Sequence, residues 1–360
     1  MSLTNAATGL TPQQWDDQFF QDYIRESRYM KYMGTDINKI IQMREDLTAK
    51  KGSSITFALV NELTGDGVTG NGTLEGNEES LDSRSHRVYV APLRNAVAVT
   101  DWDEQQSAIA LRNSARAQLK MWAKSKMRDG ITDALGSING VAYSLATEPN
   151  KDAWLVDNAD RVLFGALNSN NSANDHSASL ANIDNTADKL SPAIISAMKE
   201  LAQGASPKIR PINVMDDQEW FVMFAGSRAF RDLKNDTTMT QANRDARERG
   251  ADNPLFTGDD LIWDSVIIRE IPEIAVLSGV GAGGIDVCPV YLCGAQAVGV
   301  AWAMRTKTTS QVRDYEFVNG VAISEIRGIE KLLFGTGTGD TDDLKDHGVV
   351  TGYMAGVATG

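Results

Sequence analysis

Cysteine is nearly absent from this sequence of 360 residues, which contains only Cys288 and Cys293. Two cysteines cannot form a disulfide framework, and no second pair of ligands accompanies them for a zinc site. We therefore expect two small buried hydrophobic side chains, in a protein made in a reducing compartment. Histidine is equally scarce. His86, His176 and His347 occur in no metal-ligand or nucleophile pattern, so no metal, cofactor or catalytic residue is predicted.

Long apolar runs are also missing. No segment approaches the roughly 18 apolar residues of a membrane-spanning helix. The amino-terminal residues MSLTNAATGLTPQQWDDQFF lack the basic start and apolar core of a secretory signal. We expect a protein that has no contact with a membrane and stays in the compartment where it is made.

Basic residues are in deficit. The chain has 35 Lys and Arg against 48 Asp and Glu, which gives a formal net charge of −13. Proteins that read nucleic-acid sequence gather basic residues on their contact face, so this class is disfavoured. An acidic wall that repels enclosed DNA and an acidic surface that only aids solubility are both compatible with this charge.

The patterns associated with enzymes occur in the wrong context. Gly279, Gly281 and Gly284 spell G-x-G-x-x-G, but the following IDVCPVYL predicts a strand, whereas a dinucleotide site needs a helix N-terminus there. The acidic pairs at 216–217 and 259–260 are adjacent in sequence, and adjacent side chains on a strand point apart. We therefore predict that the protein is not an enzyme.

The first hundred residues predict elements that project from a body. Thr11-Pro12 begins a predicted helix to about residue 33, whose aromatic stripe must pack on its own body or on a neighbouring subunit. Residues 53–63 and 84–100 alternate in polarity and predict strands, while residues 65–80 predict the mobile tip of a long hairpin. An isolated two-stranded ribbon is marginal in water, so the ribbon needs a partner.

A long helix is predicted from about Trp102 to Leu135, capped by Asp101 or Asp103. Its polar face carries Arg112, Arg116, Lys120, Lys124, Lys126 and Arg128. A solvated basic face and a face that contacts acidic neighbours or enclosed DNA remain alternatives.

The remaining residues predict a mixed α and β body after a loop over residues 137–188. The predicted helices cover 190–203, the later part of 219–236, 240–249 and the small-residue stretch 294–304. The predicted strands cover 211–217, the earlier part of 219–236, 261–272, 285–294 and 315–326.

Arm, long hairpin, spine helix and mixed body follow one another as in the Hong-Kong-97-like fold of tailed-phage coat proteins. Three segments resemble stretches of the phage N-four-type major capsid protein family: WFVMFAGSRAFRDLK (220–234), NPLFTGDDLIWDSVIIRE (253–270) and YLCGAQAVGVAWAMRTKT (291–308). The resemblance covers most of the chain. It implies an α+β capsid fold and the function of major capsid protein of a tailed double-stranded-DNA bacteriophage.

The resemblance also implies a division of the chain. The regions are an N-terminal arm (1–45), an E-loop hairpin (46–101), a P-domain (102–190) with the spine helix (102–135), an A-domain with returning P-domain strands (191–345) and a C-terminal tail (346–360). Inter-subunit contacts are expected on the arm and the E-loop. The residues expected to make them are Trp15, Phe19, Phe20, Tyr23, Phe57, Leu59, Leu74, Val88 and Val90.

The partners implied by the resemblance are sister subunits, which would form the hexamers and pentamers of an icosahedral shell. Portal, scaffolding or decoration proteins would join them, and double-stranded DNA would be enclosed without sequence-specific binding. The protein would be located in the virion after assembly in the host bacterial cytoplasm. An encapsulin-like protein nanocompartment and an α/β enzyme are the alternative functions.

Overall fold

The computed structural model describes residues 28–48, 52–60, 67–70, 72–75, 78, 83–107, 110–213, 219–245, 260–335 and 344–358. Among these residues, no helix is long and apolar enough to cross a bilayer.

The described part of the chain combines strands with helices and short 3-10 turns. The strands are β1 Met33–Gly34, β2 Ile41–Arg44, β3 Ser54–Val60, β4 Ser83–Tyr89, β5 Ala91–Thr100, β6 Val162–Phe164, β7 Ile212–Asn213, β8 Glu219–Ala225, β9 Leu261–Trp263, β10 Val266–Glu270, β11 Val287–Cys293, β12 Val298–Arg313, β13 Val318–Lys331, β14 Leu333–Phe334, β15 Lys345–Asp346 and β16 Val349–Ala355. The helices are α1 Asp101–Gln106, α2 Leu111–Leu135, α3 Glu148–Asp157, α4 His176–Ala181, α5 Pro192–Gly204, α6 Ser227–Asn235 and α7 Thr237–Asp245. The 3-10 turns are Met30–Tyr32, Asp46–Thr48, Asn168–Asn170 and Ala282–Gly284.

A sheet of long strands, here called the long-strand sheet, has the order β1-β2-β12-β13-β5. Strands β12 and β13 form an antiparallel hairpin whose register runs from Val298↔Lys331 to Arg313↔Val318, with two irregularities between Trp302 and Lys307. Strand β5 adds to β13 antiparallel and brings Thr100 opposite Val318. Residues 309–317, at the far end of the hairpin, are exposed.

A second sheet, here called the central sheet, has the order β6-β16-β11-β8-β10-β9, and β7 pairs with β8. Every residue of β11 and β16 is buried. Alternate residues of this sheet enter two different hydrophobic clusters, with Phe224 in one and Met223 in the other. Because both faces are covered, these strands are nearly continuous apolar runs in the sequence.

The spine helix α2 packs against both sheets. Its buried residues follow a step of four along one side of the helix, from Ala115 to Leu135. This side belongs to the same hydrophobic cluster as Val300 and Trp302 of the long-strand sheet and Phe224 of the central sheet. The expected single helix from residue 102 is wrong, because Ser107 has extended backbone and separates α1 from α2.

The cap of α1 also differs from the prediction. The Thr100 hydroxyl, and not Asp101 or Asp103, accepts the backbone N–H of Asp103 at 3.1 Å. The same hydroxyl donates to the Asp103 carboxylate at 2.6 Å, so one side chain satisfies the first turn.

Strands β3 and β4 form a separate two-stranded sheet, here called the ribbon, in the register Ser54↔Tyr89 to Val60↔Ser83. The ribbon packs on the face of the long-strand sheet that lies opposite the spine helix. Val300 of β12 belongs to the helix side, whereas its neighbour Ala301 packs with Phe57 of the ribbon. This alternation is the two-residue period of a strand.

The loop predicted for residues 137–188 is wrong, because α3, β6 and α4 lie within it. These elements are short, and their apolar residues, such as Trp154 and Phe164, gain their burial from Tyr353 and Val287, which are distant in sequence. A local pattern could not show this cluster. The sequence did indicate where α3 starts, because Thr147 is followed by a Pro in the first turn of the helix.

Two more expectations are wrong. Residues 298–304 belong to β12 and not to a small-residue helix. Their small residues alternate with larger ones because Phe57 packs at Gly299, where an added Cβ would lie 3.1 Å from the phenyl ring. The expectation of a C-terminal tail from residue 346 is wrong as well, because β16 is a buried strand between β6 and β11.

Candidate assembly surfaces

The ribbon places most of its predicted contact residues inside the chain's own fold. Phe57 is 1% exposed and Val88 is fully buried. They form a cluster with Ile55, Ala301, Leu332 and Phe334. Leu59 and Val90 are partly buried and pack against the same cluster. Phe57 and Val88 therefore pack within the subunit's own fold, and their expected contact with a neighbouring subunit stays a prediction.

Further contacts hold the ribbon on the sheet. His86 Nε2 lies 3.3 Å from Glu330 Oε2, and the backbone N–H of Tyr89 donates to the other oxygen of that carboxylate. Gly328 faces the Tyr89 carbonyl so closely that a Cβ at this position would collide with it. Such close approach of two backbones requires glycine.

Leu74 differs from the other predicted contacts in the described part of the ribbon and its connecting residues. Its side chain is 65% exposed. Glu75 and Glu78, which follow it, are also exposed. The remaining predicted contacts, which are Trp15, Phe19, Phe20 and Tyr23, lie outside the described residues.

The sequence reasoning missed a second apolar surface, at the far end of the β12–β13 hairpin. This distal tip consists of Trp102, Val312, Tyr315 and Phe317, all exposed. The hairpin and α1 are joined there, since the backbone N–H of Asp101 donates to the Phe317 carbonyl at 2.9 Å. The available sequence signal was the pair of aromatic residues Tyr315 and Phe317 at the start of the strand predicted over residues 315–326.

The turn of the distal tip has an unusual backbone. Asp314, Tyr315 and Glu316 have φ values of 53°, 50° and 76°, in the left-handed region that residues with a Cβ rarely occupy. Each such residue costs on the order of 1 kcal/mol or more. The Tyr315 side chain at this turn is fully exposed. Strained backbone that presents an exposed aromatic side chain is typical of a contact site.

The polar side of the spine helix carries a cationic ladder, which we define as Arg112, Arg116, Lys120, Lys124 and Arg128. Both ends of the ladder are paired with acidic groups. Arg112 contacts Asp101 and Glu104, and Arg128 Nη1 lies 3.0 Å from Glu273 Oε1. Arg116, between these ends, is exposed.

A buried ion pair joins the end of the long-strand sheet to β15, which pairs with β14 in a separate two-stranded sheet. Lys331 Nζ, at the end of β13, lies 2.7 Å from Asp346 Oδ2, and both side chains are 1% exposed. The ammonium also donates to the Ser137 carbonyl at 2.6 Å, and the Trp154 indole donates to the same carboxylate oxygen. Charges this deep are tolerated because they are paired and hydrogen-bonded.

An acidic group near α4 was not predicted from the sequence. Glu148, Asp152 and Asp175 bring carboxylate oxygens within 4.8 Å of one another. Backbone amides already occupy two of them, because His176 N–H donates to Asp152 and Ala178 N–H donates to Asp175. The cluster therefore serves the start of α4.

A cleft of about 770 Å³ lies beside this cluster, between the end of the spine helix and residues 275–280. His176, Tyr291 and Tyr353 line it. Burial lowers the pKa of His176 to about 4, and the nearby Lys151 acts in the same direction. Burial raises the pKa of the Tyr353 phenol well above its usual range. At neutral pH these groups are uncharged.

Comparison with known proteins decides what these surfaces belong to. Residues 4–358 match the family model described as phage capsid protein. The chain belongs to the phage capsid protein family. A curated relative, the major capsid protein of Pseudomonas phage KPP25, is 27% identical over 367 residues and covers 95% of this chain and 94% of its own length.

Solved capsids share the architecture of this phage capsid protein. The Cyanophage Pam1 capsid asymmetric unit matches with a TM-score of 0.84 at 35% identity over the whole of both chains. The capsid of Ralstonia phage GP4 matches with a TM-score of 0.72 at 19% identity, over 100% of this chain and 96% of its own. The Helicobacter pylori bacteriophage KHP30 capsid matches with a TM-score of 0.64 at 14% identity, over 92% of each chain.

These comparisons confirm the main predictions. The fold is a mixed helix and sheet fold of the Hong-Kong-97-like class, and the chain is a phage major capsid protein. Capsid proteins assemble into shells of many subunits. The exposed surfaces defined above are therefore surfaces of a subunit that acts as part of an assembly.

Proposed function

We propose that this capsid protein is the repeating subunit of the icosahedral head of a tailed double-stranded-DNA phage. The observation that carries the proposal is apolar exposure at the ends of projecting elements. Leu74 is 65% exposed beyond the ribbon, and Tyr315 is fully exposed at the distal tip. Apolar surface gathered in this way marks an interaction site, and sister copies of the subunit can bury it.

The two surfaces extend from different ends of the long-strand sheet. The ribbon lies beside Gly328, Glu330 and Phe334, near the end of β13 and beyond, whereas the distal tip precedes the start of that strand. A subunit that carries contacts at both ends can bind different neighbours at the same time. Repetition of these contacts would give the hexamers and pentamers of a closed shell.

The enclosed molecule in this proposal is double-stranded DNA, held without sequence-specific binding. The net charge of −13 supports a container that does not adhere to its genome. Portal, scaffolding or decoration proteins would complete the head, and assembly would take place in the cytoplasm of the host bacterium. The protein acts as a structural subunit and not as an enzyme.

Expression of the full chain, alone and with its viral neighbours, tests the proposal. Negative-stain images should show regular polyhedral particles, and particles from infected cells should contain nuclease-protected DNA. Regular particles that enclose protein and no DNA would favour an encapsulin-like nanocompartment. A chain that stays monomeric under both conditions would contradict the proposal.

Two substitutions of the same residue type locate the contact surface. Leu74→Ser should reduce the yield of particles at least tenfold, because it removes apolar surface that a sister subunit would bury. Leu167→Ser is the matched control, since Leu167 is similarly exposed but lies outside the ribbon and the distal tip. Equal yields from the two variants would remove Leu74 from the proposed contact.

A further inference from the structure

Strand β5 is a long edge strand. It lies at one end of the long-strand sheet and covers the ten residues Ala91–Thr100. One side of β5 pairs with β13, and among the described residues no strand pairs with the other side. The edge of a strand carries a row of backbone N–H and C=O groups. Such a row can pair with a strand of another molecule.

The sequence of β5 favours pairing of this kind. Its second half, NAVAVT (95–100), contains three β-branched residues and no charge, proline or glycine. Short segments of this composition form sheets between molecules when an edge is exposed. Many copies of a capsid protein come together during assembly. Two copies of β5 that paired with each other would therefore join the chains in the wrong way.

The hydrogen bonds of β5 show which of its backbone groups point outward. The N–H of Asp101 donates to the Phe317 carbonyl at 2.9 Å, directly after the pair Thr100↔Val318. Bonded and non-bonded pairs alternate along an antiparallel ladder. The even-numbered residues of β5 are therefore in non-bonded pairs, and their N–H and C=O groups point away from β13. These residues are Pro92, Arg94, Ala96, Ala98 and Thr100.

Two of the outward positions offer no N–H to an incoming strand. Proline has no backbone N–H, so Pro92 leaves a gap in the row. The N–H of Ala96 is already occupied, because it donates to the side-chain Oδ1 of Asn95 at 2.9 Å. Arg94, between these positions, is exposed and adds a charge to the edge. Proline and charged side chains are common means of protecting an edge strand.

We propose that Pro92 and Asn95 form an edge guard, which prevents β5 from pairing with the same strand of another copy of this chain. An incoming strand would find the N–H of Arg94 between two positions that cannot donate. The next outward N–H, that of Ala98, is four residues further along. The guard therefore leaves contacts between copies to other surfaces. The inference concerns the free subunit and does not depend on what the shell encloses.

Removal of the guard in the full-length chain tests the proposal. Pro92→Val combined with Asn95→Val supplies the missing N–H and releases that of Ala96, while Val suits a strand. At equal protein concentration, the double variant should form irregular aggregates in negative stain. Its thioflavin T fluorescence should exceed that of the parent at least about tenfold. Amide hydrogen exchange of residues 91–100 should be slower in the aggregates than in the parent, because the outward N–H groups become bonded.

Two controls keep the guard. Asn95→Asp retains a side-chain oxygen that can accept the Ala96 N–H. Ala98→Val adds a β-branched residue at an exposed position of the same strand and releases no N–H. Both controls should give thioflavin T fluorescence within about twofold of the parent.

A third substitution restores the guard at another position. Ala96→Pro, added to the double variant, removes an outward N–H without removing a bond to β13. It should return the thioflavin T fluorescence to the level of the parent. If the double variant aggregates no more than the parent, Pro92 and Asn95 do not guard the edge. If it aggregates and Ala96→Pro does not reverse this, the substitutions act by destabilising the fold, and the proposal is wrong.

Discussion

Two buried histidines should make the folded subunit sensitive to acid. His176 is 1% and His347 is 6% exposed. Burial lowers the pKa of each from 6.5 to about 4. For His347, the guanidinium groups of Arg161 and Arg210 act in the same direction as burial. A proton added to the His347 ring would therefore be a buried charge near two cations. A proton added to the His176 ring would be a buried charge near Lys151, and Asp152 and Asp175 oppose these effects only in part.

The sign of the effect follows from where the proton binds more tightly. Below pH 6.5 the unfolded chain takes up a proton on each histidine, while the folded subunit does so only near pH 4. The contribution of the two neutral histidines to the free energy of unfolding is therefore fully present above about pH 6.5. This contribution is lost as the pH falls towards 4. At pH 5 the loss is about 2 kcal/mol for each histidine, relative to pH 8.

Urea unfolding of the unassembled subunit, followed by tryptophan fluorescence at pH 8, 6 and 5, measures this loss. His347→Leu removes a titrating ring whose nitrogens have no hydrogen-bond partner among the described residues. His176→Gln keeps a group that can bond the Tyr353 hydroxyl, which lies 3.3 Å from His176 Nε2. Each variant should lose about 2 kcal/mol less than the parent between pH 8 and pH 5. Equal losses in variants and parent would refute the assignment of acid sensitivity to these histidines.

Three further predictions concern packing and the buried ion pair. Phe57→Ala should lower the free energy of unfolding by about 3–5 kcal/mol, as urea titration can measure, because it empties the centre of the ribbon cluster. Gly328→Ala should detach the ribbon, since its Cβ would meet the Tyr89 carbonyl; faster amide hydrogen exchange in the ribbon is the readout, and unchanged exchange would contradict it. Lys331→Met should cost about 3–5 kcal/mol by leaving Asp346 unpaired, and adding Asp346→Leu should recover part of that loss.

The sequence was informative where one strand or helix face meets one partner. The helix predicted after Ser191-Pro192 is α5, and the strand and helix within residues 219–236 are β8 and α6. The strand predicted after Gly284 is β11. In these places the local pattern and the packing agree. The prediction failed at residues 294–304, where small residues suggested a helix but serve a strand on which Phe57 packs.

The candidate contact residues also show the difference between what a local pattern predicts and what tertiary packing decides. Alternation in the ribbon correctly placed Phe57 and Val88 on an apolar face, but only packing shows that this face is covered by the chain's own sheet. The distal tip could not be inferred from spacing, because the residues next to Trp102 and Phe317 are brought together only by the pairing of β5 with β13, which sets Thr100 opposite Val318. The basic face of the spine helix was visible in the sequence as six basic residues, without any indication of which acidic groups face it.

The shell-forming class came from a resemblance to tailed-phage coat proteins, whereas the sequence by itself indicated a hairpin, a spine helix and an acidic balance of charge. These features depend on residue periodicity and composition, which act over a few neighbouring positions. Tertiary structure alone decided which apolar faces are satisfied within the subunit and which are left for a neighbour. The physical reason is that burial is a property of surfaces brought together from distant parts of the chain, as when β16 closes the central sheet beside β11.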